Sequence, residues 1–181
     1  MSPDRQSVPL AELTLIPYVD TSGRLPQQFA GKIGAYAIFA ADQTLQYVGY
    51  SRDIYVSLRQ HLVRQPQQCH GLKVQLIERP SRTLLETICQ DWLKEPDVPP
   101  PGNTSAQTLW EEPLSIQAAM TDAEQASFDN PHLDDLGRIK VLKQVGRRLE
   151  AEILAVLAAR GVQETIRFNP KLKEKGVLEV N

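Results

Sequence analysis

The fold of this chain is decided by residues 33–49, IGAYAIFAADQTLQYVG. Apolar and aromatic residues crowd both ends of this stretch, and a short polar break separates them. The pattern predicts two β-strands, residues 33–41 and 44–49, joined as a hairpin. Tyr36 and Tyr47 then lie on neighbouring strands, from which both phenols can project toward one pocket.

Hydrophobic periodicity predicts the elements that follow the hairpin. We expect a helix at residues 53–64, a half-buried strand at 72–77 and a second helix at 81–93. The prolines between residues 96 and 101 end this unit, because proline cannot continue a helix. The predicted fold class is α+β, with a small antiparallel three-stranded sheet flanked by helices and a helical C-terminal extension.

The pattern predicts four segments along the chain. Residues 1–30 form an N-terminal extension, and residues 31–103 form the compact domain. Residues 104–133 form an acidic, proline-containing connector of low pattern. Residues 134–181 hold a long helix, expected to end near Arg160, followed by a short strand or an extended tail.

Composition predicts an ordinary globular protein. The 181 residues are 41% hydrophobic and 23% charged, which is typical of a folded domain. No run approaches the roughly 18 apolar residues that span a bilayer, so no membrane span is expected. The first five residues lack a secretory pattern, and Cys69 and Cys89 are too few for a disulfide scaffold. We expect a cytoplasmic protein, or a stromal one if it comes from a plastid.

Charge is unevenly distributed, although the net charge is only −2. No Lys or Arg occurs from Glu95 to Asp135, and basic residues lie on both sides of that stretch. The acidic stretch is either a solvated connector, a cover over a basic surface, or a surface for a basic partner. Any protein partner is expected to bind through this connector or through the C-terminal helix.

Six short features, in this order, resemble those of the GIY-YIG nucleases over roughly residues 31–103. They are Gly34-Ala35-Tyr36, Tyr47-Val48-Gly49, the Ser51-Arg52-Asp53 turn, His61, Glu86 and Asn103. A narrower resemblance, to a poorly characterised branch in cyanobacteria and plant plastids, is carried by three segments. These are residues 47–64, 100–103 and 167–170.

The resemblance implies metal-dependent hydrolysis of a phosphodiester. Glu86 would bind Mg²⁺ or Mn²⁺, for which a carboxylate oxygen is a suitable ligand. Tyr47 or Tyr36 would position or deprotonate the attacking water. His61 would orient the phosphate or donate a proton, and Asn103 would hold the pocket loop. DNA or another nucleic acid would be the substrate.

One departure from the family pattern argues against that chemistry. Where the family has an essential arginine on its first helix, this chain has Ser57, which supplies no cation for developing phosphate charge. Arg59 should point elsewhere, whereas Arg52 is long enough to reach the pocket. The interpretation is a GIY-YIG-fold binding or interaction module of weak or no nuclease activity. The alternative is a divalent-metal-dependent DNA endonuclease.

Several of these residues have a structural interpretation as well. Tyr36 and Tyr47 are equally compatible with core positions whose hydroxyls are hydrogen-bonded. The long helix carries Lys140, Lys143 and Arg147 opposite its apolar stripe. That face is either solvated or a contact for nucleic acid, in which case binding should depend steeply on salt.

Overall fold

A computed structural model describes residues 6–181 of the chain. The chain divides into two compact units, one ending at Glu111 and the other beginning at Glu112. This division falls inside the segment that the sequence presents as a connector.

The first unit is built on a four-stranded antiparallel sheet. Its strands are β1 (Ile16–Pro17), β2 (Gly34–Phe39), β3 (Leu45–Ser51) and β4 (Gly71–Leu76), in the order β1-β4-β2-β3. The α+β class and the antiparallel arrangement are confirmed, whereas the prediction of three strands was wrong. Strand β1 was missed because it is two residues long and ends in proline, which cannot donate to a ladder.

Three helices accompany this sheet: α1 (Ile54–Arg64), α2 (Arg82–Leu93) and the short α3 (Gln107–Glu111). The first two begin where predicted because each has a capping side chain. Asp53 accepts a hydrogen bond from the Val56 amide, and Ser81 accepts one from the Leu84 amide. Such caps satisfy amides that have no partner within the helix.

The two faces of the sheet bury different side chains, since successive residues of a strand point in opposite directions. One face contributes Ala35, Ala37 and Val48 to an apolar core shared with Ile88 and Trp92 of α2. The opposite face carries Tyr36 and Tyr47. Tyr36 is paired in register with Gly49, and Tyr47 with Ile38, so the two tyrosines are diagonal neighbours rather than directly opposed.

The second unit is organised by α5 (Asp135–Ala159), which confirms the predicted long helix. Its other elements are α4 (Asp122–Phe128), α6 (Pro170–Glu174) and a two-stranded ribbon of β5 (Leu114–Ser115) and β6 (Val177–Leu178). Residues 162–168, predicted as a strand or an extended tail, are extended and form a single bridge, between Phe168 and Val180.

The predicted low-pattern connector contains regular structure in both units. Helix α4 has no fully buried residue, so its sequence carries little apolar periodicity. It is joined to α5 by Arg148, whose guanidinium contacts Glu124 at 2.6 and 2.7 Å. This attachment depends on a pair of residues distant in sequence, which periodicity cannot reveal.

Within residues 6–181, every helix is too short or too polar to cross a membrane.

Candidate functional site

The tyrosine pair lies in a buried aromatic cluster, formed by Tyr36, Tyr47, His61 and Trp110. The Tyr36 and Tyr47 ring centroids are 6.2 Å apart, and His61 contacts both rings from α1. Trp110 stacks on Tyr47 at 5.4 Å, with the ring planes nearly parallel. The sequence therefore placed the two tyrosines close together correctly, and the structure shows both of them buried among other rings.

Hydrogen bonds satisfy both phenols of the cluster. The Tyr36 hydroxyl oxygen lies 2.8 Å from Nε2 of His61. The Tyr47 hydroxyl donates to Oε1 of Glu111 over 3.3 Å. The structural interpretation of these tyrosines, as core residues with hydrogen-bonded hydroxyls, fits these contacts.

Burial keeps the whole cluster uncharged at neutral pH. It raises the pKa of Tyr36 and of Tyr47 well above the usual value for a phenol. It also lowers the pKa of His61 to about 3, with the nearby Arg64 guanidinium contributing. A phenol whose pKa is raised is a poorer general base, and an imidazole with this pKa is neutral at pH 7. The roles expected for these residues in activating water or donating a proton do not follow from this geometry.

Trp110 and Arg64 were not singled out as site residues by the sequence, yet Trp110 belongs to the cluster and Arg64 is hydrogen-bonded to it. Trp110 lies on α3, and its backbone carbonyl accepts a hydrogen bond of 3.0 Å from Arg64 at the end of α1. The two residues are 46 positions apart, so local sequence patterns do not predict this contact. The one available signal was Trp110 itself, because a large aromatic residue is often buried.

Asn103 anchors the proline-rich loop to the sheet. Its side-chain amide accepts from the Val48 N–H and donates to the Val48 carbonyl, each over 2.8 Å. The preceding Gly102 is tightly enclosed, since a Cβ there would lie 2.5 Å from the Gln46 carbonyl oxygen. The structure thus gives Asn103 a contact that holds the loop to strand β3.

A second region, the basic cleft, lies where β3 leads into α1 and α2 begins. It has a volume of about 420 Å³. Its lining residues are Ile33, Tyr50, Ser51, Arg52, Pro80, Ser81, Arg82 and Leu85. Arg52 is exposed, and it makes no ion pair with any described residue. Of the predicted site residues, Arg52 is the one that lines this cleft.

Glu86 lies beside the cleft on α2, where Arg82 engages it. Nε of Arg82 donates to Oε1 of Glu86 over 2.7 Å, and the Tyr50 hydroxyl lies 3.5 Å from the same oxygen. In the described chain, no hydrogen bond or ion pair joins Glu86 to Tyr36, Tyr47 or His61. Helix α2, which carries Glu86, packs on the sheet face of Ala35 and Ala37, whereas the two tyrosines lie on the opposite face.

The residues around Glu86 provide few ligands for the expected metal ion. Residues 6–181 contain no group of three or more His, Cys, Asp or Glu side chains placed to hold one. Glu86 offers one carboxylate, and Arg82 already occupies one of its oxygens. One carboxylate supplies only one or two of the oxygen ligands that Mg²⁺ or Mn²⁺ takes, so binding of either ion at Glu86 stays a prediction.

Ser57 lies where the resemblance requires a cation. Its hydroxyl donates to Oγ of Ser51 over 2.8 Å, and Ser51 in turn donates to the Asp53 carbonyl. These hydroxyls brace the turn into α1. They supply no positive charge near the tyrosines.

The basic residues of α5 belong to the second unit. Lys143 pairs with Glu174 of α6 at 2.7 Å, whereas Lys140 and Arg147 are exposed. A contact with nucleic acid through this face stays a prediction. It now depends on Lys140 and Arg147, because Lys143 is paired with Glu174.

Comparison with known proteins identifies one partial relative. A scan against protein-family models gives no match. A search of curated proteins finds 33% identity over 81 residues with the bifunctional monothiol glutaredoxin-S16, chloroplastic, of Arabidopsis thaliana. The match covers 42% of this chain and 28% of the relative. The chain thus spans little more than a quarter of the relative's length.

This comparison contradicts the sequence-based assignment to the GIY-YIG nucleases and to their cyanobacterial and plastid branch. The matched relative is named for a monothiol glutaredoxin, so the assignment is corrected to a partial likeness with that protein. The nuclease, endonuclease and hydrolase interpretations, and that of a nuclease-like binding module, are withdrawn with it. Ser57 in place of an arginine and the engagement of Glu86 by Arg82 agree with this correction.

Proposed function

We propose that this chain binds a small ligand bearing phosphate or carboxylate groups in the basic cleft. We further propose that it works beside a thiol-redox protein rather than exchanging thiols itself. The observation that carries the proposal is the cleft itself, where two arginines and the start of a helix converge.

Charge in the cleft favours an anion. Arg52 has no ion-pair partner among the described residues, and a planar guanidinium can bind two oxygens of one phosphate or carboxylate. Ser81, the capping residue of α2, also lines the cleft. The first amides of a 12-residue helix and its dipole therefore act at the same place.

The cysteines support a role other than thiol exchange. The thiolate is the reactive form, and a reactive cysteine is accessible with a lowered pKa. Cys69 and Cys89 are both buried, and burial raises the pKa of Cys89 to about 12. The relative is called bifunctional and is matched over 28% of its length. We infer that this chain corresponds to a part of such a protein that does not perform the thiol chemistry.

Three candidate ligands carry such an anionic group. They are inorganic phosphate, glutathione through its carboxylates, and DNA or another nucleic acid through its phosphates. A nucleic acid could also contact the exposed Lys140 and Arg147, and a basic protein could contact the acidic residues 104–133. The relative's name includes the word chloroplastic, which supports a plastid location for this chain.

Calorimetric titration of the full chain with inorganic phosphate, glutathione and a short oligonucleotide tests the proposal. We expect Arg52→Ala and Arg82→Ala each to weaken binding about 5- to 10-fold, as for one charge-assisted contact at a partly exposed site. Arg167→Ala removes an exposed arginine that does not line the cleft and serves as the control. Absence of binding for all three ligands, or equal loss in the control, would overturn the proposal.

A further inference from the structure

We propose that Glu86 is a built-in competitor for the anion in the basic cleft. This inference rests on the proposed function, because it concerns the same site. In the structure, the Glu86 carboxylate already binds the Arg82 guanidinium that an incoming ligand would use.

Helix stability does not explain why an arginine is found at position 82. Arg82 is the first residue of α2, where the helix dipole disfavours a cation. Glu86 follows one turn later, and an acidic residue C-terminal to its basic partner is the weaker orientation of such a pair. Local rules of this kind are most often broken at functional sites.

The pair is also exposed enough to open. The side chains of Arg82 and Glu86 are 83% and 42% exposed, and exposed ion pairs contribute little to stability. A ligand can therefore displace the Glu86 carboxylate from Arg82. The displaced carboxylate remains tethered beside the cleft, with the Tyr50 hydroxyl 3.5 Å from one of its oxygens.

Displacement has two consequences for the ligand. The ligand must break an existing charge-assisted hydrogen bond, and it then lies near an unpaired negative charge. Both effects lower the affinity, and the second one grows with the negative charge of the ligand. Glu86 therefore sets both the strength of binding and a preference against multiply charged anions.

Titration with inorganic phosphate, using a double-mutant cycle, tests this inference. We expect Glu86→Gln to tighten phosphate binding about three- to tenfold in the otherwise unchanged chain. In the Arg82→Ala background the same change should give a smaller gain of about twofold, because the competition for Arg82 is gone and only the repulsion by the Glu86 charge remains. Glu12→Gln removes one exposed negative charge that does not line the cleft, and we expect no gain from it.

The outcomes separate this inference from the proposed function. If the unchanged chain binds phosphate through Arg52 and Arg82 but Glu86→Gln binds equally well, the competition is refuted and the proposed function stands. A gain of the same size in Glu12→Gln, or in the Arg82→Ala background, also refutes it. If neither the unchanged chain nor Glu86→Gln binds phosphate, glutathione or the oligonucleotide, both are refuted.

Discussion

The hydroxyl oxygen of Tyr36 and Nε2 of His61 lie 2.8 Å apart, and both side chains are almost fully buried. The hydrogen bond between them joins β2 to α1. Because both side chains are buried, water cannot replace the Tyr36 hydroxyl as the partner of Nε2 of His61. The bond links the position of α1 to that of the sheet.

Removing this hydroxyl should destabilise the first unit. We expect Tyr36→Phe to lower the free energy of unfolding by about 1–2 kcal/mol, because it leaves the imidazole nitrogen buried without its partner. Urea denaturation measures the change. Tyr50→Phe removes the hydroxyl of an exposed tyrosine and should change stability by less than about 0.5 kcal/mol. Equal effects would show that the buried bond contributes nothing.

The lowered pKa of His61 predicts how the stability of the fold depends on pH. Its pKa is lowered from 6.5 to about 3 in the folded chain, so between these values the unfolded chain binds a proton that the folded chain does not. The contribution of neutral His61 to the free energy of unfolding is therefore fully present above about pH 6.5 and is lost as the pH falls toward 3. Between pH 7 and pH 5 the loss should be about 2 kcal/mol.

Urea denaturation at several pH values tests this dependence. His61→Asn should flatten the curve between pH 7 and pH 5, whereas His132→Asn, at an exposed histidine, should leave it unchanged. A slope that persists in His61→Asn would assign the dependence to other groups.

Neither cysteine should react in the folded chain. Cys69 and Cys89 are buried, and the raised pKa of Cys89 leaves almost no thiolate at pH 8. A chromogenic disulfide reagent should therefore report close to no thiol in the native protein and two after denaturation. Rapid labelling of either cysteine in the native state would contradict the burial and would reopen a thiol-exchange role.

Asn103 should stabilise both the loop and the strand that it contacts. We expect Asn103→Ala to cost about 1–3 kcal/mol, because it removes two hydrogen bonds of 2.8 Å and leaves Val48 groups unpaired. Hydrogen exchange at the Val48 amide should become faster. Asn103→Asp can still accept from that amide but cannot donate to the Val48 carbonyl. Its stability should therefore lie between those of the unchanged chain and Asn103→Ala.

Arg148 should hold α4 to α5. Its guanidinium contacts Glu124 and Glu152 and donates to the Ala119 carbonyl over 3.0 Å, whereas α4 itself has no fully buried residue. We expect Arg148→Ala to increase hydrogen exchange in residues 122–128 while α5 stays protected. Arg147→Ala, at the neighbouring exposed arginine, should leave that exchange unchanged.

Local sequence signals predicted most of the regular structure. Helices α1, α2 and α5 follow from apolar periodicity and from capping residues such as Ser81, which act within a few residues. Strand β1 was missed because it is two residues long and ends in proline, and helix α4 because it has no fully buried residue and so little apolar periodicity. Each also makes a contact with a residue distant in sequence. Ile16 pairs with Leu72, and Glu124 with Arg148.

The candidate site was predicted less completely than the fold. The two tyrosines were correctly expected to lie close together, since strand pairing brings them onto one face. Their enclosure by Trp110, and the engagement of Glu86 by Arg82, are contacts of side-chain geometry that short motifs do not specify. The motifs therefore predicted a hydrolytic chemistry that these contacts do not support.

The amide of Asn103 also affects how the chain behaves at high concentration. Strand β3 is an edge of the sheet, and its exposed backbone groups would be a template for a strand from another molecule. The Asn103 side chain presents a donor and an acceptor to Val48 in the manner of a peptide group, so that position is already taken. At the opposite edge, β1 is short and contains Pro17. At Val48, strand β3 therefore cannot pair with a strand from another molecule unless the Asn103 side chain is displaced.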